Sequence, residues 1–275
     1  MPPVENVPDP VDVFAPIIMP NVLILRAPGT NCDRETAFAF EQAGATTELL
    51  HVNRLLETPS LFEKFQILCL PGGFSYGDDV GAGRILANQI QHHLAEQMQA
   101  FKEAGKLILG ICNGFQVLIK SGVLLPNTSD GGAAATLTWN DSGKFEDRWV
   151  ELATHGEKCV FLRGIESMYL PIAHAEGKFV TKNDTVFAEL EAAGQTVLKY
   201  RRLDKQAGDV PYPDNPNGSV ANLAGVCDAT GRVFGLMPHP ERHIDPTHHP
   251  RWTREAPKQE GDGLAVFRNA VGYFA

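Results

Sequence analysis

The stretch of sequence that decides the fold reads KLILGICNG and spans residues 106–114. Its first half is an apolar run that predicts a buried β-strand ending at Leu109, and a helix is expected to start near Phe115. Between the two, a single cysteine stands between Gly110 and Gly114. This strand, turn and helix pattern is typical of a nucleophile elbow, with the sulfur of Cys112 in place of the usual serine.

The spacing of the two glycines has a steric reason. In such an elbow the nucleophile has a strained backbone and an exposed side chain, and side chains two positions to either side would collide. The N–H groups at the start of the following helix would favour the thiolate form of Cys112. Taken alone, the motif leaves a second interpretation open, in which Cys112 is a buried structural residue.

A thiol nucleophile needs a base, and the best candidate lies in GLMPHPER, residues 235–242. His239 and Glu241 are two residues apart, so in extended backbone they project to the same side, where the carboxylate can orient the imidazole. Two alternatives stay open here, a zinc site built from the four histidines of 239–249 and plain solvated loop histidines. Pro240 argues against zinc because it disrupts a helix that would pair His239 with His243.

A third element reads ILCLPGGFSYGD over residues 67–78, where an apolar strand runs into paired glycines. Backbone N–H groups in such a loop can approach a ligand without side chains in the way. The N–H of Gly73, together with that of Asn113, would form a two-donor oxyanion hole. The alternative is an ordinary glycine turn.

The alternation of apolar strands with amphipathic helices predicts an α/β sandwich whose mainly parallel sheet is covered on both faces. Strands are predicted at 22–25, 46–50, 67–70 and 233–236, and helices at 33–43 and 84–103. The shorter strands of the later half are expected to complete the sheet in mixed order. Cys112 then lies at the carboxyl end of a strand, where open α/β sheets place their sites.

The domain organisation is predicted to be simple. No break in composition marks a second domain, so residues 21–275 are expected to form one domain. The proline-rich residues 1–20 are interpreted as an N-terminal extension, either laid over the surface or disordered. Residues 127–149 are expected to form an extended loop or a hairpin.

Composition excludes several classes of protein. With 275 residues, 43% of them hydrophobic, the chain can bury a full core. The formal net charge of −9, without any run of lysine or arginine, argues against a nucleic-acid partner. No apolar stretch approaches the length that spans a bilayer and no signal-peptide pattern is present, so a cytoplasmic protein without a membrane partner is expected.

The cysteines and the missing phosphate motifs narrow the chemistry further. Five cysteines without a Cys-x-x-Cys spacing argue against a disulfide framework and a zinc ribbon. Cys69 is expected in the core. Cys32, Cys159 and Cys227 are interpreted as structural or incidental because no base motif stands beside them in the sequence. No P-loop motif occurs, so the chain is not expected to bind ATP itself.

In this order, three motifs resemble those of the triad-type, or class I, glutamine amidotransferases: Pro-Gly-Gly at 71–73, Gly-x-Cys-x-Gly-x-Gln at 110–116 and His-x-Glu at 239–241. Four further stretches narrow the resemblance to the glutaminase subunits of phosphoribosylformylglycinamidine synthases. They are APGTNCD at 27–33, PIAH at 171–174, NPNGS at 215–219 and MPHPER at 237–242. The resemblance runs from about residue 21 to the C-terminus. It implies a flavodoxin-like three-layer α/β sandwich with a mainly parallel, partly mixed sheet.

The resemblance implies a mechanism for the predicted site. Cys112 would attack the side-chain amide of glutamine, and the N–H groups of Gly73 and Asn113 would hold the oxyanion. His239 would protonate the departing ammonia and then activate the water that cleaves the glutamyl thioester, while Glu241 orients its imidazole. Gln116, one helical turn past the nucleophile, would help to bind glutamine. No metal is expected in this site.

The partners also follow from the resemblance. The ammonia would pass to a synthetase subunit that makes formylglycinamidine ribonucleotide from formylglycinamide ribonucleotide, with ATP and magnesium held by that subunit. A small accessory subunit is a further candidate member of the complex. One residue departs from the family pattern, because Ala175 stands where Gly-Glu-Gly is expected, which puts a backbone conformation that requires glycine in doubt.

Two rival hypotheses come from other classes of protein. The first is a different thiol enzyme on a related sheet, such as a cysteine peptidase or an amidotransferase that serves another synthetase. The motifs at 27–33, 171–174 and 215–219 argue against it. The second is a non-catalytic subunit that kept the fold, but Cys112, His239 and Glu241 are all present.

Overall fold

The computed structural model describes residues 19–254, 256 and 258–275. Residues 1–18, which make up most of the predicted extension 1–20, lie outside the described residues. The described chain enters its first strand two residues after Met19.

Strands and helices alternate through the first half of the described chain. The strands are β1 (Asn21–Arg26), β2 (Thr46–His51), β3 (Ile67–Leu70), β4 (Leu107–Ile111), β5 (Ala135–Thr138), β6 (Glu146–Thr154), β7 (Ser167–His174), β8 (Lys178–Thr181), β9 (Leu198–Arg201), β10 (Leu223–Cys227) and β11 (Val233–Leu236). The α-helices are α1 (Asp33–Gln42), α2 (Val52–Glu57), α3 (Arg84–His93), α4 (Ala95–Glu103), α5 (Asn113–Lys120), α6 (Asp184–Ala192) and α7 (Leu264–Gly272).

A nine-stranded sheet in the order β2-β1-β3-β4-β11-β10-β9-β6-β7 forms the centre of the molecule. The strands from β2 to β11 in this order run parallel to their neighbours, and the pairings from β11 to β7 are antiparallel. The sheet therefore has the mixed order that the sequence predicts. Strands β5 and β8 pair separately, as an antiparallel ribbon.

The strand that precedes the elbow lies in the middle of the parallel half. Strand β4 pairs with β3 on one side and β11 on the other, and every residue of these three strands is buried. Burial on both faces is the reason that they are continuous apolar runs rather than alternating ones. The carboxyl ends of β3, β4 and β11 consequently meet at one edge of the sheet.

Helices cover the sheet in two packs. Helix α1 packs on α7, with the rings of Phe40 and Phe267 in edge contact at 4.9 Å between centroids. Helix α3 packs on α5, and α5 also contacts β3, β4 and β11. These packs are the outer layers of the predicted sandwich. Buried apolar side chains from Val22 to Ala270 form one cluster, which supports the proposal that residues 21–275 are a single domain.

Two local predictions were wrong. The helix expected over 84–103 is two helices, because the backbone of Leu94 leaves the helical region between α3 and α4. The segment 127–149 is neither one extended loop nor a hairpin of its own, since it contains β5, which pairs with the distant β8, and ends inside β6. The strand and turn residues alone do not disclose such non-local pairing.

In the part of the chain that the structure describes, no helix is both long and apolar enough to cross a bilayer.

We predict that Gly114→Ala destabilises the protein. A Cβ at this position would lie 1.8 Å from the backbone oxygen of Leu70, and a backbone atom cannot give way as a flexible side chain can. The expected loss is about 1–3 kcal/mol of unfolding free energy, or failure to fold, measured by urea denaturation. Gly272→Ala is the matched control, because its Cβ meets nothing within 4 Å in α7. It should leave stability unchanged or raise it by up to about 1 kcal/mol. Equal stability of both variants would contradict the prediction.

Candidate active site

Cys112 lies at the turn between β4 and α5 in a conformation that few residues adopt. Its backbone angles are φ 50° and ψ −106°, which cost about 1–3 kcal/mol for a residue with a side chain. A Cβ on Gly110 would lie 2.8 Å from the backbone oxygen of Gly114. The two glycines therefore allow the close passage of strand and helix that the elbow motif predicts. The turn has the geometry expected of a nucleophile elbow.

The predicted base and its orienting carboxylate are in contact. The Nδ1 atom of His239 lies 2.6 Å from Oε1 of Glu241, and both side chains are buried. The pairing was predicted, but its geometry differs, because residues Pro240–Arg242 form a short 3-10 turn rather than extended backbone. This turn brings the side chains of His239 and Glu241 into contact.

The electrostatics of His239 depend on its neighbours. Burial alone would lower the pKa of His239, but the Glu241 carboxylate and the Cys112 thiol raise it, and the pKa stands well above its usual value. Because Nδ1 faces Glu241, the other ring nitrogen, Nε2, is the one available to the thiol. Among the described residues Nε2 has no hydrogen-bond partner. The imidazole is thus held in the orientation that a base of a triad needs.

Backbone hydrogen bonds fix the elbow and the base relative to each other. The N–H of Cys112 donates to the carbonyl of Leu236 at 2.8 Å, just before the base turn. The N–H of His239 donates to the carbonyl of Pro171 in β7 at 2.9 Å, and the Cys112 thiol lies 3.7 Å from the carbonyl of Ala173. Strand β7, at the edge of the sheet, therefore contacts both Cys112 and His239.

Within the described part of the chain, the backbone N–H groups of Gly73 and Asn113, the two residues predicted to hold an oxyanion, form no strand or helix hydrogen bond. Gly73 forms a non-hydrogen-bonded pair with Thr30 in an isolated antiparallel bridge, so its N–H points away from that segment. Its φ of +142° favours glycine, and a Cβ at this position would lie only 2.8 Å from the carbonyl oxygen of Gly29. Asn113 is the first residue of α5, so its N–H has no carbonyl one turn earlier in the helix.

The side chain of Asn113 has a role that the sequence motif does not indicate. Its Oδ1 accepts from the N–H of Ser75 at 3.0 Å, and its Nδ2 donates to Asp78 at 3.1 Å and to Gln116 at 3.0 Å. The loop that follows Gly73 is thereby tied to the elbow. Burial raises the pKa of Asp78, against the opposing effect of the hydrogen bonds from Gly83 and Asn113. This network fixes the Gly73 loop relative to the elbow, and it thereby positions the backbone N–H of Gly73 relative to that of Asn113.

A cleft of about 270 Å³ opens beside the nucleophile. Its walls include Gly73, Cys112, Gln116, Trp139, His174 and Glu176. Gln116 is buried, and both ends of its amide bind protein groups, since Nε2 donates to the carbonyl of Glu176 at 2.7 Å and Oε1 accepts from Asn113. Gln116 thus supports the cleft wall, and its contact with a substrate stays a prediction.

The wall formed by 173–177 resolves the doubt about Ala175. Ala175 is not among the described residues with positive φ, so its backbone does not require glycine. Position 177, in contrast, requires glycine for a steric reason, because a Cβ there would lie 2.3 Å from the imidazole ring of His174. The ring of His174, buried to 3% exposure, is the side chain that needs this space.

Cys32 differs from the expectation that it is merely structural. Its sulfur lies within 4.8 Å of a ring nitrogen of His239 and a carboxylate oxygen of Glu241. Burial raises the pKa of the Cys32 thiol, and its contact with His239 opposes that effect. Arg242 donates to the sulfur at 3.1 Å and to Glu35 at 2.9 Å. The turn after β1 brings Cys32 to the site from a part of the sequence far from the base, so no local motif could have indicated it.

Cys32, His239 and Glu241 lie close enough together to be compared with a metal site. A thiol, an imidazole and a carboxylate form a ligand set that zinc accepts. Here the Arg242 cation lies against the Cys32 sulfur, and Glu241 already binds Nδ1 of His239. This arrangement favours a hydrogen-bonded network over a cation site.

Two other histidines of the zinc alternative, His243 and His249, pack against aromatic rings. The ring of His243 packs edge-on against Trp149 at 5.0 Å, and its Nδ1 lies 2.7 Å from the carbonyl of Tyr169. His249 also packs on Trp149, at 4.9 Å. These rings form an aromatic cluster with His243 bound to backbone.

We predict that Glu241→Gln lowers the pKa of His239. The substitution removes the carboxylate that raises this pKa, while the burial that lowers it remains. NMR titration of the His239 ring should show the fall. Glu35→Gln is the control, because Glu35 binds Arg242 and not the imidazole. An unchanged pKa in Glu241→Gln, or an equal fall in both variants, would contradict the role assigned to Glu241.

Residues 19–274 match the family model of the CobB/CobQ-like glutamine amidotransferase domain. The phosphoribosylformylglycinamidine synthase subunit PurQ of Dehalococcoides mccartyi is 51% identical over 250 residues, which cover 90% of this chain and 95% of that protein. The PurQ subunit of a Methanococcus maripaludis strain is 41% identical over 94% of this chain and 98% of its own length.

Solved structures agree with this relationship. A chain in the structure of PurLQS from Thermotoga maritima aligns with a TM-score of 0.70 and 32% identity, over 94% of this chain and all of that one. A glutamine amidotransferase from the same organism, 16% identical over 86% of this chain and 81% of its own, aligns with a TM-score of 0.51 and shows the fold alone. The matches confirm the resemblance inferred from the motifs. The chain belongs to the glutamine amidotransferase family and, within it, to the PurQ subunits of phosphoribosylformylglycinamidine synthase.

Proposed function

We propose that this chain hydrolyses glutamine to glutamate and ammonia and delivers the ammonia to a synthetase subunit. That subunit makes formylglycinamidine ribonucleotide from formylglycinamide ribonucleotide with ATP, a step of purine biosynthesis. The observation that carries the proposal is the strained Cys112, which opens on a cleft and shares its surroundings with the bonded pair of His239 and Glu241. The 51% identity to a PurQ subunit supports the choice of reaction.

The first half of the reaction is thioester formation. The sulfur of Cys112 attacks the side-chain amide carbon of glutamine, and His239 takes the thiol proton. The carbonyl oxygen gains negative charge in the tetrahedral intermediate, and the N–H groups of Gly73 and Asn113 stabilise it. The raised pKa of His239 suits the next step, in which the imidazolium donates its proton to the leaving ammonia. A γ-glutamyl thioester on Cys112 remains.

The second half releases glutamate. His239, now neutral, takes a proton from water, and the hydroxide attacks the thioester carbonyl. The same two N–H groups stabilise the second tetrahedral intermediate, and its collapse returns the proton to Cys112. Glu241 keeps Nδ1 of the imidazole protonated throughout both steps, so that Nε2 always faces the reacting atoms.

Gln116 is proposed to shape the glutamine site. Through its bond to the carbonyl of Glu176 it fixes the cleft wall against which the substrate lies. Gln116 thus positions the substrate through this wall. Direct contact between glutamine and the buried Gln116 amide is part of the same proposal.

The remaining components of the reaction are proposed to belong to other subunits of the complex. We place ATP and magnesium in the synthetase subunit, with a small accessory subunit as a further candidate member. Exposed aromatic side chains lie at the cleft, with Trp139 and Phe74 on its wall and the Phe145 ring tilted against that of Phe74 at 6.4 Å between centroids. Their exposure favours a protein partner over the mouth of the cleft. All five cysteines are free, which fits the reducing conditions of the cytoplasm.

We predict that Cys112→Ala abolishes glutamine-dependent synthesis and spares ammonia-dependent synthesis. In the complex with its synthetase, the variant should lose glutamate release by about four or more orders of magnitude, because no nucleophile remains. Added ammonium should still support amidine formation by the variant complex. Cys227→Ala, a buried free cysteine in β10, is the matched control and should retain the glutaminase reaction. Glutamine hydrolysis that persists in Cys112→Ala would overturn the proposal.

A further inference from the structure

The imidazole of His174 lies in the cleft wall, and the triad mechanism does not use it. His174 is the last residue of β7, directly after Ala173, whose carbonyl lies 3.7 Å from the Cys112 sulfur. Its side chain is 3% exposed, and it lines the cleft together with the nucleophile. The ring is therefore part of the wall of the cleft in which the proposed substrate binds.

The hydrogen bonds of Asn140 determine which nitrogen of His174 carries the proton. The Asn140 Nδ2 donates to two carbonyls, those of Lys144 and His174, both at 2.9 Å. This fixes the amide orientation, so that Oδ1 faces Nδ1 of His174 at 3.2 Å and also accepts from the N–H of Gly177 at 3.0 Å. An amide oxygen only accepts hydrogen bonds, and Nδ1 of His174 must therefore be the donor.

The remaining nitrogen of His174 is consequently an acceptor. Burial, with a smaller effect from nearby His239, lowers the pKa of His174 to about 3, so the ring is neutral at physiological pH. A neutral ring that is protonated at Nδ1 has a lone pair at Nε2. This Nε2 is buried and has no hydrogen-bond partner among the described residues. Buried acceptors are normally satisfied, so a donor from a ligand or a bound water is the expected partner.

The ring of His174 is also closely packed against Gly177. Gly177 lies so close that a Cβ there would come within 2.3–2.7 Å of three ring atoms. The carbonyl of Gly177 accepts from Nδ2 of Asn217 at 2.8 Å, and the same Nδ2 lies 3.0 Å from the hydroxyl of buried Tyr200. The motif at 215–219, whose role the sequence leaves open, thus supports the turn that packs against His174.

We propose that Nε2 of His174 accepts a hydrogen bond from the side-chain carboxamide N–H of glutamine. The inference rests on the proposed function and identifies His174 as a specificity residue for the amide. The carboxamide is favoured over the α-ammonium because its nitrogen is bonded to the carbon that Cys112 attacks, close to the carbonyl of Ala173. His239 becomes a cation when it takes the thiol proton, and an α-ammonium beside it would then be repelled. A carboxylate would present only lone pairs to Nε2, so the product glutamate is disfavoured.

The test compares glutamine with the γ-methyl ester of glutamate, which has the same skeleton and no carboxamide N–H. Both are assayed for glutamate release by the complete complex. In His174→Leu, kcat/KM for glutamine should fall about 10- to 100-fold, whereas kcat/KM for the ester should change less than about 3-fold. His174→Gln retains an acceptor oxygen and should recover part of the loss. His155→Gln alters an exposed histidine and is the matched control, expected to change neither substrate.

A second measurement keeps the proposal testable if a variant folds poorly. In Cys112→Ala protein with ¹⁵N-labelled histidine, the His174 ring should be protonated at Nδ1 and unprotonated at Nε2. Saturating glutamine should shift the Nε2 resonance, and the methyl ester should not. A proton on Nε2 in the free protein, or an equal response to both compounds, would overturn the inference.

The kinetic outcomes separate this inference from the proposed function. A wild-type complex that hydrolyses neither substrate overturns both. A wild-type complex that hydrolyses both, with equal losses for the two substrates in His174→Leu, overturns the carboxamide contact alone. Unchanged kinetics for both substrates in that variant overturn it as well.

Discussion

The arrangement of the whole site depends on the strained backbone of Cys112. A residue at φ 50° and ψ −106° keeps this conformation only if its surroundings over-determine it, at a cost of about 1–3 kcal/mol. Strand β4, fully buried between β3 and β11, supplies the rigid lead-in, and the bond from Cys112 N–H to Leu236 anchors the turn. Glycine at 110 and 114 removes the side chains that would otherwise force strand and helix apart. The strain places the sulfur at the cleft without a flexible loop.

Sheet topology explains how distant parts of the sequence meet. Parallel strands bring their carboxyl ends to one edge, so the segments after β1, β3, β4 and β11 contribute Cys32, Gly73, Cys112 and His239 to one place. The antiparallel half of the sheet ends in β7, which forms the opposite wall of the cleft. It contacts the Cys112 thiol through the carbonyl of Ala173 and the N–H of His239 through the carbonyl of Pro171. A site enclosed in this way separates the reacting atoms from bulk solvent.

Much of this arrangement could be predicted from local sequence. Apolar runs located β3 and β11 to the residue, and spacing identified Cys112 and the pair of His239 with Glu241, because a nucleophile elbow and a carboxylate-oriented base have local signatures. Contacts set by tertiary packing could not be predicted. The break at Leu94, the pairing of β5 with β8 and the position of Cys32 beside His239 each depend on residues that are remote in the sequence.

The measurement that tests the account most directly is identification of the sulfur that carries the acyl group. The complete complex would be quenched in acid during turnover of isotopically labelled glutamine, and the cysteine peptides mapped by mass spectrometry. The account predicts a γ-glutamyl thioester on Cys112 alone. An adduct on Cys32, which also lies beside His239, or label on none of the five cysteines would contradict it.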